Sequence, residues 1–73
     1  MAASRKLYRI LGERIRDARK QAELSQEELA EKADLNRNYI GEIERAEKKI
    51  TLETLVKIAK ALKLRLRDLV DEL

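Results

Sequence analysis

At 73 residues the chain is sized for one domain and sits near the lower limit for a hydrophobic core that folds without a staple. It has no cysteine, histidine or proline, which excludes disulfides and argues against thiolate or imidazole metal sites and Cys or His nucleophiles, so neither an enzyme nor a cofactor is expected. The formal net charge is +3, no apolar run exceeds three residues, and the opening MAASRKLYRI lacks a signal-peptide hydrophobic region, so a soluble, cytoplasmic protein without a membrane partner is the expectation.

Tyr8, Leu11, Ile15, Ala18 and Ala22 follow the alternating three- and four-residue step of one helix face and predict a first helix over about 5–22. Its outer face is basic, with Arg5, Lys6, Arg9, Arg16 and Lys20. Ser25 and Glu28 then form an S-x-x-E capping box, so a second helix should start at Gln26 and run to 33. Leu29, Ala30 and Ala33 give it a narrow apolar face, while Glu27, Glu28, Glu31 and Lys32 stay outside. Asp34, Leu35 and Asn36 break the pattern. Asn36 is a good N-cap for a third helix over 37–45, in which Ile40 and Ile43 point inward and Arg37, Asn38, Gly41, Glu42 and Arg45 outward. Thr51 is an N-cap for a fourth helix over 52–63, with Leu52, Leu55, Ile58, Ala59 and Leu62 as its inward stripe. A fifth segment over 66–72, with Leu66, Leu69, Val70 and then Leu73, carries more apolar residues than a solitary terminal turn needs. It is read as partly packed on the core and partly available to a partner. No strand pattern, repeat or flexible linker interrupts the series, and the fold class is all-α.

The second and third helices, with their short polar break, have the spacing of a helix-turn-helix, which points to DNA. Charge is unevenly spread. Residues 1–23 carry seven Lys or Arg against three acids, a net of +4, whereas residues 24–35 carry one against four, a net of −3. An acidic second helix suits DNA only if its N-terminal end, Ser25 and Gln26, meets a phosphate through free N–H groups and the positive end of the helix dipole. The chain holds two asparagines and two glutamines, and three of these four, Gln26, Asn36 and Asn38, fall on the proposed contact surface. Amides are the side chains that read nucleic acid there.

The stretch GERIRDARKQAELSQEELAEKADLNRNYIGEIERAEKKITLETLVKIAKAL, residues 12–62, resembles the phage-repressor-like helix-turn-helix family, also called the xenobiotic-response-element type. Within it, NRNYIGEIERAEKKITL is most similar to the controller proteins of restriction-modification systems, small homodimeric transcription regulators. Gln26, Ala30, Ile40, Ile43 and Glu44 fall at the family's spacing. The resemblance implies a five-helix DNA-binding domain spanning 1–73, with the helix-turn-helix at helices 2 and 3. It implies that Gln26 rests on a backbone phosphate while bracing a side chain of the recognition helix, and that Arg37 and Asn38 read base edges. Their chemistry suits that role, since arginine pairs bidentately with guanine O6 and N7, and asparagine with adenine N6 and N7. By the same resemblance Asn36 and Tyr39 contact phosphates of the DNA backbone, Arg45, Lys48 and Lys49 grip the DNA backbone or the adjoining groove, and Arg19 pairs with Glu44 to lock helix 1 to helix 3.

Asn36 is needed as a cap whatever the protein binds. One module of this size buries too little surface for strong discrimination, so a homodimer on a roughly palindromic operator is expected. Leu64, Leu66, Leu69, Val70 and Leu73 are its candidate interface, and no small-molecule ligand is implied. Two positions depart from the family pattern. Asp34 stands where glycine is common and must adopt a left-handed or bridging conformation. Ala46 stands where glycine or asparagine usually follows the third helix, which is therefore expected to end differently, with an extra turn toward Glu47. The rival reading is a protein-interaction module of the same fold, an antitoxin or transcription coactivator, favoured by the acidic second helix.

Overall fold

The computed structural model describes residues 2–73, with side chains from Arg5 onward, as five α-helices and no strand among the described residues. They are α1 (Ala2–Gln21), α2 (Gln26–Ala33), α3 (Arg37–Glu44), α4 (Leu52–Ala61) and α5 (Leu66–Val70). Helices α2 and α3 pack on each other, α1 lies against α3, α4 against α2, and α5 bridges α1 and α4. Each helix sends one large side chain to the centre: Ile15, Leu29, Ile40, Ile58 and Leu69 are fully buried. Burying such a side chain is worth about 1.5–3 kcal/mol, so the five together tie every helix to one core.

Local chemistry starts the helices as the pattern requires. Ser25 Oγ accepts the Glu28 N–H at 3.0 Å while Glu28 Oε1 accepts the Ser25 N–H at 2.8 Å, which completes the capping box. Asn36 Oδ1 accepts the Asn38 N–H at 2.7 Å, and Thr51 Oγ1 accepts the Thr54 N–H at 3.1 Å.

The helix ends share one device. Glu23, Asp34, Ala46 and Lys63 all have φ of 58–59°, and around each the chain closes a Schellman pair of hydrogen bonds. Leu24, Leu35, Glu47 and Leu64 reach back to the carbonyls of Arg19, Ala30, Glu42 and Ala59, respectively. A left-handed conformation costs a side-chain-bearing residue roughly 1–2 kcal/mol. Three of the four turns offset that cost with a leucine, Leu24, Leu35 or Leu64, packed against the core just beyond the turn. The fourth carries Glu47, which is exposed. Asp34 thus takes the left-handed conformation anticipated for it. The extra turn anticipated after α3 does not form, because Ala46 adopts the same conformation a glycine would and the helix stops at Glu44.

Several pattern-based assignments shift. Helix α1 begins three residues before Arg5 and ends at Gln21, and Ala22, placed on the inward face, is exposed because the Schellman turn carries it off the stripe. Leu52 was placed in the α4 stripe but is 67% exposed. It is the first residue of that helix, and periodicity gives an angle around the axis without saying which turn a neighbour covers. Thr54 is buried instead, its hydroxyl bonded to that of Thr51 at 3.0 Å. Helix α5 stops at Val70, with Asp71 already extended at ψ 129°. Arg14 fastens this end to α1, Nη1 donating to the carbonyls of Leu69 at 3.1 Å and Asp71 at 2.6 Å, a cation on the negative end of a helix.

Candidate functional site

The first turn of α3 and the first turn of α2 meet at an open cleft lined by Gln26, Arg37, Asn38, Gly41, Glu42 and Arg45, together with Arg19, Ser25 and Glu27. Arg37 and Asn38 are exposed, as the first residues after an N-cap whose side chain has turned back onto the backbone. The Asn36 carboxamide oxygen is therefore committed to capping. Gln26 opens α2, and the capping box ties up the Ser25 and Glu28 N–H groups, leaving those of Gln26 and Glu27 as the free donors of that helix start.

Beneath the cleft lies a buried polar network. Arg19 Nε donates to Glu44 Oε2 at 2.6 Å and Nη2 to Oε1 at 3.0 Å, with the two side chains only 11% and 3% exposed. Arg19 Nη1 donates to the Leu24 carbonyl at 2.9 Å, and Gln26 Nε2 donates to Glu44 Oε1 at 3.1 Å. The hydrogen bonds that Arg19 donates to the Glu44 carboxylate raise the Arg19 pKa above its ordinary value. One carboxylate thus joins α1, α3 and the glutamine at the start of α2, and it holds that glutamine's nitrogen inward.

Two arginines on the rim are paired with carboxylates. Arg37 Nη1 lies 3.5 Å from Glu27 Oε2 in a largely exposed pair. Arg45 is clasped by Glu47, Nε to Oε2 at 2.9 Å and Nη2 to Oε1 at 3.1 Å. That bond raises the Arg45 pKa and lowers the Glu47 pKa.

A second, shallower groove continues from the first, lined by Asn36, Asn38, Tyr39, Glu42 and Lys48. Tyr39 is half-buried against the core. Lys49 is exposed and lines neither groove. The whole surface presents guanidinium and amide groups able to address guanine, adenine and phosphate, and a central carboxylate, Glu42, able to accept from a cytosine amino group.

Of the five apolar residues proposed for self-association, Leu64, Leu66 and Val70 are half-buried and Leu73 is 41% exposed. Leu69 is 1% exposed, which removes it from that list: it is the residue by which α5 holds the core, and no partner can reach it. Among the described residues no helix is long and apolar enough to cross a membrane.

Comparison with known proteins places this arrangement. The family profile described as Helix-turn-helix matches residues 15–69, which covers the cleft and runs from the last two turns of α1 to within one residue of the end of α5. The chain belongs to the helix-turn-helix family. It is 53% identical over 53 residues to the control protein C.SmaI of Serratia marcescens, a match covering 73% of this chain and 63% of that protein. It is 40% identical over 63 residues to the control protein C.BamHI of Bacillus amyloliquefaciens, covering 85% of this chain and 78% of that one. The crystal structure of the restriction-modification controller protein C.AhdI from Aeromonas hydrophila superposes with a TM-score of 0.84 at 37% identity, covering 85% of this chain and 94% of that one. The chain is thus a phage-repressor-like helix-turn-helix protein close to the controller proteins.

Three features of this site were not read from the sequence. Gly41, read as outward-facing, is buried, because the side chains of Gln26 and Arg45 fold over it. Glu47 engages Arg45 across the turn at Ala46, a contact that depends on the left-handed residue between them. Gly12 marks the crossing of α1 over the end of α3: a Cβ there would meet the Ile43 carbonyl oxygen at 2.5 Å and that of Glu44 at 2.8 Å. Gly12 lies in the α1 pattern next to Leu11, and its isolation inside a helix was the available signal.

Proposed function

We propose that this protein is a transcription regulator of the restriction-modification controller type that binds duplex DNA sequence-specifically as a homodimer. The observation that carries the reading is the convergence of Gln26, Arg37, Asn38 and Arg45 on one open cleft at the start of α3. Helix α3 enters the major groove, Arg37 and Asn38 read base edges, and Gln26 meets a phosphate at the dipole end of α2 while the Glu44 bond holds its amide in place. Asn36, Tyr39, Lys48 and Lys49 lie along the backbone, Asn36 with its remaining amide hydrogens because its oxygen caps α3. Two copies related by a twofold axis set their α3 helices about 34 Å apart, which calls for a roughly palindromic operator. The self-association surface is the exposed side of α5 and its approach, through Leu64, Leu66, Val70 and Leu73.

The test is binding of the purified protein to random duplex across a salt series, followed by selection from a randomised pool. The reading requires salt-dependent binding to random duplex and enrichment of a two-fold-symmetric site. No binding to duplex at low salt would overturn it in favour of the protein-interaction reading, which the exposed acids Glu27, Glu28 and Glu31 of α2 would then serve.

A further inference from the structure

Gly41 has no structural need to be glycine. Its φ is not positive, and the nearest atoms that a Cβ there would meet are side-chain tips, Arg45 Nη1 at 2.9 Å and Gln26 Oε1 at 3.3 Å. Gly12 contrasts with it, being walled in by carbonyl oxygens. In mid-helix, glycine is a poor choice on propensity alone. What Gly41 does is leave a bare patch on the outer face of α3, and the Arg45 guanidinium lies on it. A helical side chain leans toward the turn before its own Cα, so Arg45, the cap residue of α3, delivers its charge back into the cleft beside Arg37 and Asn38.

The orientation of that guanidinium is set by Glu47. The carboxylate takes the Nε and Nη2 hydrogens along the side of the fork. Nη1 and the second hydrogen of Nη2 remain, and they form the end-on edge that pairs bidentately with guanine O6 and N7. The two partners therefore do not compete: Glu47 can hold the side of the guanidinium while its end addresses a base. Glu47 occupies the position that the other three Schellman turns fill with leucine, so this turn gives up a core contact and gains a carboxylate next to the cleft.

We infer that Gly41 and Glu47 are positioning residues for Arg45, the first as a seat and the second as a brace, and that together they present Arg45 end-on to a guanine in the major groove. The inference rests on the DNA-binding reading above and changes Arg45 from a backbone contact into a base reader.

The experiment compares wild type, Arg45→Ala, Glu47→Gln, Gly41→Ala and Arg37→Ala, each subjected to selection from a randomised duplex pool and to salt titration on the selected site. Arg45→Ala should erase a guanine preference at one base pair per half-site, about tenfold or more in discrimination. Glu47→Gln and Gly41→Ala should weaken that preference at the same base pair by about two- to fivefold, the scale of an exposed ion pair. Both should melt within a few degrees of wild type, since Glu47→Gln gives up only an exposed pair and a Cβ at Gly41 displaces side-chain tips while alanine favours the helix; folding effects are thereby separated from positioning. The inference is overturned if Arg45→Ala weakens all sequences equally and lowers the salt slope by about one phosphate contact. It is overturned equally if Glu47→Gln and Gly41→Ala leave the profile untouched while Arg37→Ala alters it as expected, in which case the DNA-binding reading stands. Failure of wild type to bind any duplex overturns both.

Discussion

Glu44→Ala would strand a guanidinium. Arg19 would keep only its bond to the Leu24 carbonyl in a site where its side chain is 11% exposed, and Gln26 Nε2 would lose its acceptor as well. Removing one partner of a buried pair costs about 3–5 kcal/mol, most of it the desolvated charge left behind. A chain of 73 residues has on the order of 4–11 kcal/mol of stability in total, so the loss is about a quarter of it or more. At about 4–8 °C per kcal/mol for a domain of this size, even the lower figure moves Tm down by about 12–24 °C. The companion variant Arg19→Met/Glu44→Leu removes both charges and should cost far less than Glu44→Ala, because no buried charge is left unpaired, although Gln26 Nε2 and the Leu24 carbonyl each lose a partner. Urea denaturation followed by circular dichroism of Glu44→Ala, and of Arg19→Met, Glu44→Leu and their double variant as one cycle, measures both quantities. A Glu44→Ala loss below about 1 kcal/mol, or a double variant as costly as the two singles added, would refute the reasoning. Loss of DNA binding in Glu44→Ala at elevated temperature is expected from unfolding and does not make Glu44 a contact.

Arg37→Ala should cost about 1–3 kcal/mol on the selected operator and relax preference at one base pair; unchanged selectivity would remove it from base reading. Neutralising Lys48 or Lys49 should reduce the salt slope of binding by about 1 with no change in sequence preference, measured by titration between low and moderate salt. Ala46→Gly and Lys63→Gly each relieve a left-handed residue and should raise stability by about 0.5–1 kcal/mol, read as a Tm increase of a few degrees. The capping box predicts a pH effect. The bonds from the Ser25 N–H and hydroxyl hold the Glu28 carboxyl below its ordinary 4.5, so its contribution is present above the unfolded value and is lost as pH falls through the lower folded one. Glu28→Gln should therefore lose less stability than wild type as pH is taken below 4.5; parallel acid curves for the two would argue against the box.

Helix number and order, and the starts of α2, α3 and α4, were legible in the sequence because their causes are local. Ser25, Asn36 and Thr51 cap from within a few residues, and the side chains that face inward at Leu11, Ile15, Leu29, Ile40 and Ile58 recur at the helix period. The placement of Arg37 and Asn38 on an exposed first turn followed from the same caps. What failed were a few inferences from the angle around a helix to burial at a particular turn. Leu52, Ala22, Leu69 and Gly41 all sit where the period allows either state, and the neighbouring element, or a side chain folding back, decided between them.

The sequence by itself determined that this chain is five amphipathic helices with a helix-turn-helix at its centre, because capping, turn chemistry and hydrophobic period act over spans of a few residues. Tertiary structure alone decided which groups share the cleft. The Arg19, Gln26 and Glu44 network joins three helices, and Gln26 of α2 flanks the seat on which Arg45 lies at Gly41. The physical reason is range: a helix is specified by bonds four residues long, whereas a site is specified by which surfaces exclude water from one another.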